Sequence, residues 1–347
     1  MDLVSLLDII VAIDSDTDIH SKLLEQLTPY LKNAVHSEKI DWHLQITSNA
    51  AIPDRKNLLP LTVMLPIPGF SGATVRDDGT TREIFFREST VSRTGNEIRL
   101  NSNNPKFLVD IAKNIITCQL CAPLASRQNE LVHAAAVSIG SKAVLLSAPS
   151  GSGKTRLQIA LLEAGAAFLS GDRVFLAPTA TGCQAKGWVW GLTLANPGTA
   201  ASDAVRRLYN SAASELSNHI PTSAKIRVDR PRIEAIFGPC VAEAPVTLLV
   251  FPRFNPTSNR AFSATTISTE NAVRELMLAA QSLGNEFDAG WIVDDDIKTI
   301  PNSPTLHALF KDVTCCRLEY GKETVKQAVG MIGTMAVKGG GIDQSAR

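Results

Sequence analysis

The chain lacks a surplus of charge: its 34 Lys+Arg cancel 34 Asp+Glu across 347 residues, leaving a net charge of zero. A dedicated electrostatic binder of nucleic acid or of an anionic membrane needs a basic excess, so neither partner is expected. Long apolar runs are lacking as well. The stretch Leu3 to Ile13 is interrupted by Asp8 and has no basic residue before it, which fits neither a secretory signal nor a bilayer span. A cytoplasmic location follows as the expectation. Cysteine is scarce, six in all, which excludes a disulfide scaffold. Cys118 and Cys121 form a C-x-x-C inside a helix-like run, with no second pair or nearby His to complete a four-ligand metal site. They read as core residues, and so do Cys315 and Cys316. There is no internal repeat.

What is present is enough apolar material for a sizeable core, 44% hydrophobic against 20% charged, and enough length for two domains. Residues 1–125 read as an α+β module without a chemical motif. Leu23 to Val35 is expected to be helical with a bend or break at Pro29. Leu61 to Leu65, Glu83 to Arg87 and Glu97 to Leu100 are expected strands, with Asp77-Asp78-Gly79 as a turn before the second. Asn101 to Asn104 and Pro105 then open the helix that carries Cys118.

The character changes at Leu131. Residues 131–137 read as one strand, Gly140-Ser141 as a hairpin turn, and Ala143 to Ser147 as the returning strand. Ala148-Pro149-Ser150-Gly151-Ser152-Gly153-Lys154-Thr155 follows, and then helical periodicity through Leu157, Leu161 and Leu162 up to Gly165. Strand, glycine loop, helix and strand (Ala166 to Ser170) is the context in which this pattern is a phosphate-binding loop. Successive backbone N–H groups must converge on phosphate oxygens with no Cβ in the way, which Gly151 and Gly153 permit. Ser150 and Ser152 complete the cradle. Lys154 is the point charge for the β- and γ-phosphates, and the Thr155 hydroxyl a Mg²⁺ ligand. The first glycine of the usual pattern is replaced by Ala148.

Asp172 ends the next expected strand, 18 residues after Lys154, beside the loop. A carboxylate there can bind Mg²⁺ or take the proton of an attacking hydroxyl, although Ser-Gly-Asp is also ordinary turn chemistry. His133, alone on its strand, reads from periodicity as a core histidine more readily than as a catalytic one. Beyond this region, Val189 to Leu194 and Thr247 to Phe251 are expected strands, and Ala200 to Tyr209 and Glu270 to Ser282 expected helices. A disordered tail is expected over 338–347.

Taken together, Leu131-Val-His-Ala-Ala-Ala-Val, the loop Ala148 to Thr155, and Leu162 through Gly171-Asp-Arg-Val174 resemble the HPr kinase/phosphorylase family, over residues 131–174. The resemblance implies an α/β fold, with residues 126–337 a P-loop kinase domain of the HPr kinase/phosphoenolpyruvate carboxykinase type. It implies ATP and Mg²⁺ as cofactors and a serine hydroxyl as acceptor. Within the family the chain looks more like divergent members that phosphorylate precursor peptides, lasso peptides among them, than like a carrier-protein kinase. Asp172 matches the family's general base and His133 its active-site histidine. Gly171 stands where the first aspartate of the family's pair is expected. Trp188-Val-Trp-Gly-Leu192 resembles a Glu-Ile-Arg-Gly-Leu motif, with Trp188 and Trp190 in place of the charged residues. These departures weigh against the reverse, phosphorylase reaction.

Arg173, Lys225, Arg227 and Arg230 are candidates for neutralising charge on the transferring phosphoryl, one of them being expected to do so. The N-terminal module is assigned to substrate recognition or homo-oligomerisation. Two other classes stay open: a small-molecule kinase of the gluconate or adenylylsulfate type, whose Leu-x-Gly-Asp stretch Phe168 to Asp172 echoes, and a nucleotide-binding scaffold without catalysis.

Overall fold

A run such as Ala143-Val144-Leu145-Leu146 has no polar face to offer water, so its strand must be covered on both sides. The computed structural model shows how that is done. It describes residues 2–6, 9–28, 31–32, 40–48, 59–60, 74–86, 89–104, 108–109, 111–113, 115–116, 129–188, 191–195, 202–213, 226–281 and 302–338. The architecture is mixed α/β with several sheets. The chain divides into two compact units, Met1–Arg127 with Asn285–Thr299, and Gln128–Gly284 with Ile300–Arg347.

The first unit is built on a nine-stranded sheet. Its elements are β1 (Asp2–Leu6), β2 (Ile9–Ser15), α1 (Thr17–Leu27), β3 (Leu31–Lys32), β4 (Trp42–Ser48), β5 (Leu59–Pro60), β6 (Thr74–Asp77), β7 (Thr81–Phe86), β8 (Ser89–Thr94) and β9 (Glu97–Ser102). The strand order is β3-β1-β2-β4-β9-β8-β7-β6-β5, with β2, β4 and β9 mutually parallel. The apolar stretch Leu3 to Ile13 is therefore an antiparallel hairpin, Leu3 facing Ala12 across it. His20 on α1 bridges Ser15 Oγ (2.9 Å) and the Asp2 carboxylate (2.6 Å), tying helix to hairpin.

The expected helix Leu23 to Val35 is corrected. The helix is α1, which ends at Leu27 before Pro29, and Leu31–Lys32 is a strand paired with β1. Thr28 is still helical (φ −42°, ψ −45°), but a proline at the next position removes a donor the helix would need and its ring crowds the preceding turn. The turn at Asp77–Gly79 joins β6 to β7, with Gly79 at φ 82°. The expected strand Leu61 to Leu65 and the pair Cys118 and Cys121 lie outside the described residues. So does the tail after Lys338.

The second unit contains β10 (Glu130–Val132), β11 (Ala135–Ile139), β12 (Lys142–Leu146), α2 (Lys154–Glu163), β13 (Ala167–Ser170), β14 (Val174–Thr179), β15 (Gly182–Gly187), β16 (Leu192–Leu194), α3 (Asp203–Ala213), β17 (Ile226–Val228), α4 (Arg230–Phe237), β18 (Glu243–Phe254), β19 (Phe262–Thr266), α5 (Thr269–Gln281), α6 (Ser303–Leu309), β20 (Thr314–Tyr320) and α7 (Val325–Lys338). The main sheet runs β10-β14-β15-β18-β12-β11-β13, and β20 joins it on β18 with β19 beyond. Alternate residues of its central strands face opposite cores. Val144, Leu146, Leu248 and Val250 pack with Leu157 and Leu161 of α2 and Ile332 of α7. Ala143, Leu145, Leu249 and Cys315 pack with Leu276 of α5 and Leu306 of α6. Both faces are thus apolar, which is why the sequence shows a run and not an alternation. Burial pushes the Cys315 and Cys316 thiols up to about 12, so they are packed as neutral apolar groups.

Residues 131–137 are not one strand. The chain leaves β10, which pairs with β14, and enters β11, which pairs with β12 and β13, so the ladder breaks at His133-Ala134. Among the described residues no helix is long and apolar enough to cross a membrane.

Candidate functional site

Strand direction decides which residues meet. β12, β18 and β20 are parallel, so Leu146, Phe254 and Tyr320 end at one edge of the sheet. β11 is antiparallel to β12, so its first residue, Ala135, lies opposite Leu146 and places His133 at that same edge. β13 is antiparallel to β11, so its last residue, Ser170, arrives there too and delivers Gly171-Asp172. In open α/β sheets ligands sit at the carboxyl ends of parallel strands, and here the loop, His133 and Asp172 share that edge.

The loop itself has the shape its glycines allow. Gly151 (φ 86°) and Gly153 (φ 93°) take left-handed backbone, and Gly153 is the residue before α2. The first intrahelical bond runs from Leu157 N–H to Gly153 O (3.0 Å), so the Thr155 and Arg156 amides have no acceptor within the helix. Such a helix start is a seat for an anion. Ala148 is accommodated because its backbone is not left-handed: among the described residues Ser141 is the only non-glycine with positive φ. The loop is pinned from below. Tyr320 Oη donates to Gly153 O (2.9 Å) and Phe254 N–H to Ser152 O (2.9 Å), while a Cβ at Gly153 would come within 2.7 Å of Phe254 Cβ.

Lys154 is buried. Its ammonium donates to Ala148 O and to His133 Nε2 (3.0 Å), with Pro149 O at 3.5 Å. An ammonium only donates, so Nε2 accepts and the neutral imidazole carries its proton on Nδ1. Among the described residues that Nδ1 has no hydrogen-bond partner, and it faces Asp172 Oδ1 at 3.6 Å. The His133 side chain is 6% exposed and the Asp172 side chain 55%, so the chain Lys154–His133–Asp172 runs from the interior to the surface. Burial lowers the His133 pKa to about 4, with Lys154 and Arg173 lowering it further and Asp172 opposing them. The ring is neutral at pH 7. Ser147 fixes its backbone by donating from Oγ to His133 O (2.8 Å).

The remaining candidates divide. Arg173 is buried beside His133 and contributes positive charge there. Arg230 is corrected: it is 2% exposed and donates to Leu169 O and to Trp188 O (3.2 Å), with its guanidinium 5.2 Å from the Phe168 ring centroid. It holds backbone together and is not directed at a phosphate. Arg227 is exposed on β17, and Lys225 and Trp190 lie outside the described residues. Trp188 is a core residue stacked on Phe175 at 4.9 Å. Ser150 and Gly151 are exposed at the loop tip, with Ser152 and Thr155 half-buried.

Two side chains that sequence reasoning missed hold this edge in shape. β13 bulges against β11: Ala136 faces Ser170 and Val137 faces Phe168, so Leu169 is the extra residue. Gln158 Nε2 donates to Ala136 O (3.2 Å) and Ser170 O (2.6 Å), and Arg230 serves Leu169 O. A glutamine in an otherwise apolar helix face, fully buried, was the available signal.

Gly171 has no room for a side chain. A Cβ there would overlap the carbonyl oxygen of Gly191, and a Cβ on Gly191 would overlap that of Val228. Among the described residues no group of three His, Cys, Asp or Glu could hold a metal ion. Thr155 and Asp172 nevertheless fit a Mg²⁺ that arrives with a polyphosphate, because that ion keeps waters and phosphate oxygens and needs only one or two protein ligands. The orphaned Nδ1 and the glycine cradle fit the anion.

No protein-family profile matches this chain, and no curated protein matches it. Among solved structures the chain is similar to the Hpr(Ser) kinase/phosphatase from Coxiella burnetii, at 12% identity and a TM-score of 0.28, over 59% of this chain and 92% of that one.

Proposed function

We propose that this protein is an ATP- and Mg²⁺-dependent kinase that transfers a phosphoryl group to a serine-type hydroxyl of a peptide or protein. The observation that carries the reading is the convergence of Lys154, His133 and Asp172 at the mouth of a glycine-shaped anion seat. The sequence resemblance of residues 131–174 supports the acceptor class, including a ribosomal precursor peptide.

Lys154 exchanges its bonds to Ala148 O and Pro149 O for the β- and γ-phosphates. This replaces bonds to neutral carbonyls with bonds to anionic oxygens. Asp172, half-exposed and hydrogen-bonded to no donor among the described residues, takes the proton of the attacking hydroxyl. His133 presents its Nδ1 proton at that edge, 3.6 Å from the Asp172 carboxylate, as a donor for the transferring group. Thr155 and Asp172 would hold a Mg²⁺, which would supply positive charge to the phosphate oxygens. Arg173 adds fixed positive potential behind His133. Little covalent work is asked of the protein, because phosphoryl transfer depends mainly on positioning and electrostatics.

A second reading, a nucleotide-binding scaffold, is favoured by one observation: the packing around Gly171 excludes a second carboxylate. One experiment separates the two. Purified protein is incubated with Mg²⁺, ATP and candidate peptides or a bacterial lysate, and products are read by mass spectrometry beside Lys154→Ala. A peptide gaining one phosphate only with intact Lys154 is the expected result. A phosphorylated metabolite overturns the acceptor class, and bound nucleotide with no transfer leaves the scaffold.

A further inference from the structure

We propose that Arg156, laid on Phe254 beside the loop, is the seat on which the base of a purine nucleotide stacks, an inference that rests on the loop being a phosphate site. In a loop of this kind the backbone amides bind the α- and β-phosphates. The Arg156 amide is the last before the intrahelical bonds begin, so the nucleoside leaves the phosphates next to residue 156. The Arg156 side chain is exposed, and its guanidinium lies 4.1 Å from the Phe254 ring centroid. Phe254 is itself immobilised, by its N–H to Ser152 O and by its ring against Tyr320 at 5.5 Å. The plate is therefore held before any ligand arrives, with one side open to solvent.

Arg156 also differs from other arginines of this unit. Arg206, Arg232, Arg260 and Arg317 each pair with a carboxylate, on Asp203, Asp229, Glu323 and Glu275. Among the described residues no ion pair or hydrogen bond engages the Arg156 guanidinium. An aromatic ring holds it by a cation–π contact, which fixes position and leaves its donors unused. A guanidinium plane so held is a stacking surface for a base. A purine offers more stacked area than a pyrimidine, and a seat that reads the ring face does not separate adenine from guanine.

The test compares binding of ATP, CTP and inorganic tripolyphosphate to the full-length protein by calorimetry, with wild type, Arg156→Ala and Arg156→Lys. Wild type is expected to prefer ATP over tripolyphosphate by about tenfold, the scale of one stacked base, with CTP between. Both variants are expected to lose that preference while retaining tripolyphosphate binding. Arg156→Lys keeps the charge, so its behaviour separates the plate from simple electrostatics, and exposure of the side chain leaves the melting temperature unchanged. Equal weakening of ATP and tripolyphosphate, or retention of the ATP preference by either variant, overturns the seat. Equal affinity for ATP and CTP overturns the purine assignment. If wild type binds neither ATP nor tripolyphosphate, the phosphate-site reading itself falls, a result distinct from the others.

Discussion

Two places at one edge of the sheet depend on glycine for opposite reasons. In the loop, Gly151 needs left-handed backbone, and a Cβ there would meet nothing within 4 Å: the space is open. At Gly171 and Gly191 the backbone is not left-handed, yet a Cβ would run into the carbonyls of Gly191 and Val228. There the space belongs to the chain itself. The first kind of glycine is written in a motif that a short window reveals. The second is a consequence of three segments crossing, and a comparison of motifs registers it only as a missing acid.

The strongest way to break this comparison is Gly171→Asp, which installs the carboxylate that the family resemblance calls for. Because backbone and not a flexible side chain stands in the way, the variant is expected to lose about 4 kcal/mol or more of stability in urea unfolding. A Gly171→Asp protein as stable as wild type would show that this corner yields. In the loop, Lys154→Ala is expected to lower phosphotransfer by roughly 10²–10³-fold, the cost of removing one preorganised donor, while circular dichroism stays unchanged.

His133 links the two places and makes a pH prediction. The unfolded imidazole gains its proton near pH 6.5 and the folded one only near 4, so between these values the unfolded state binds more protons. Stability therefore falls as pH drops from 6.5 towards 4, by up to about 3 kcal/mol. His133→Gln is expected to flatten that stretch of the unfolding profile; an unchanged slope would assign it to other groups. Gln158→Leu leaves Ala136 O and Ser170 O without their donor at the bulge, at an expected cost of about 2 kcal/mol by thermal unfolding. The smallest effect belongs to Tyr320→Phe, which removes only the bond to Gly153 O: about 1 kcal/mol of stability, with a few-fold loss in nucleotide affinity.

The glycine loop, its helix and the hairpin turn at Gly140-Ser141 were legible because each is a local matter of φ and hydrogen bonding within a few residues. Asp172 was legible through its spacing from Lys154. His133 was legible as a residue but not as a place. It reads as one position in a continuous strand, whereas the chain changes sheets there and frees the ring to meet Lys154. The Leu23 to Val35 helix was misplaced because apolar periodicity ran through Pro29, where sterics stop a helix. Arg230 misled for a different reason. Its charge suggested a phosphate, but its guanidinium is turned inward onto the carbonyls of Leu169 and Trp188.

By itself the sequence determined the balanced charge, the glycine loop and the mixed order of strands and helices, since composition and short-range backbone preference decide those. Tertiary structure alone decided which polar groups go inside and which glycines are compulsory. Gln158 reaches strands 12 and 22 residues away and Arg230 reaches Leu169 across 61. A buried donor is stable only where such distant carbonyls come to meet it, and no local pattern records that meeting.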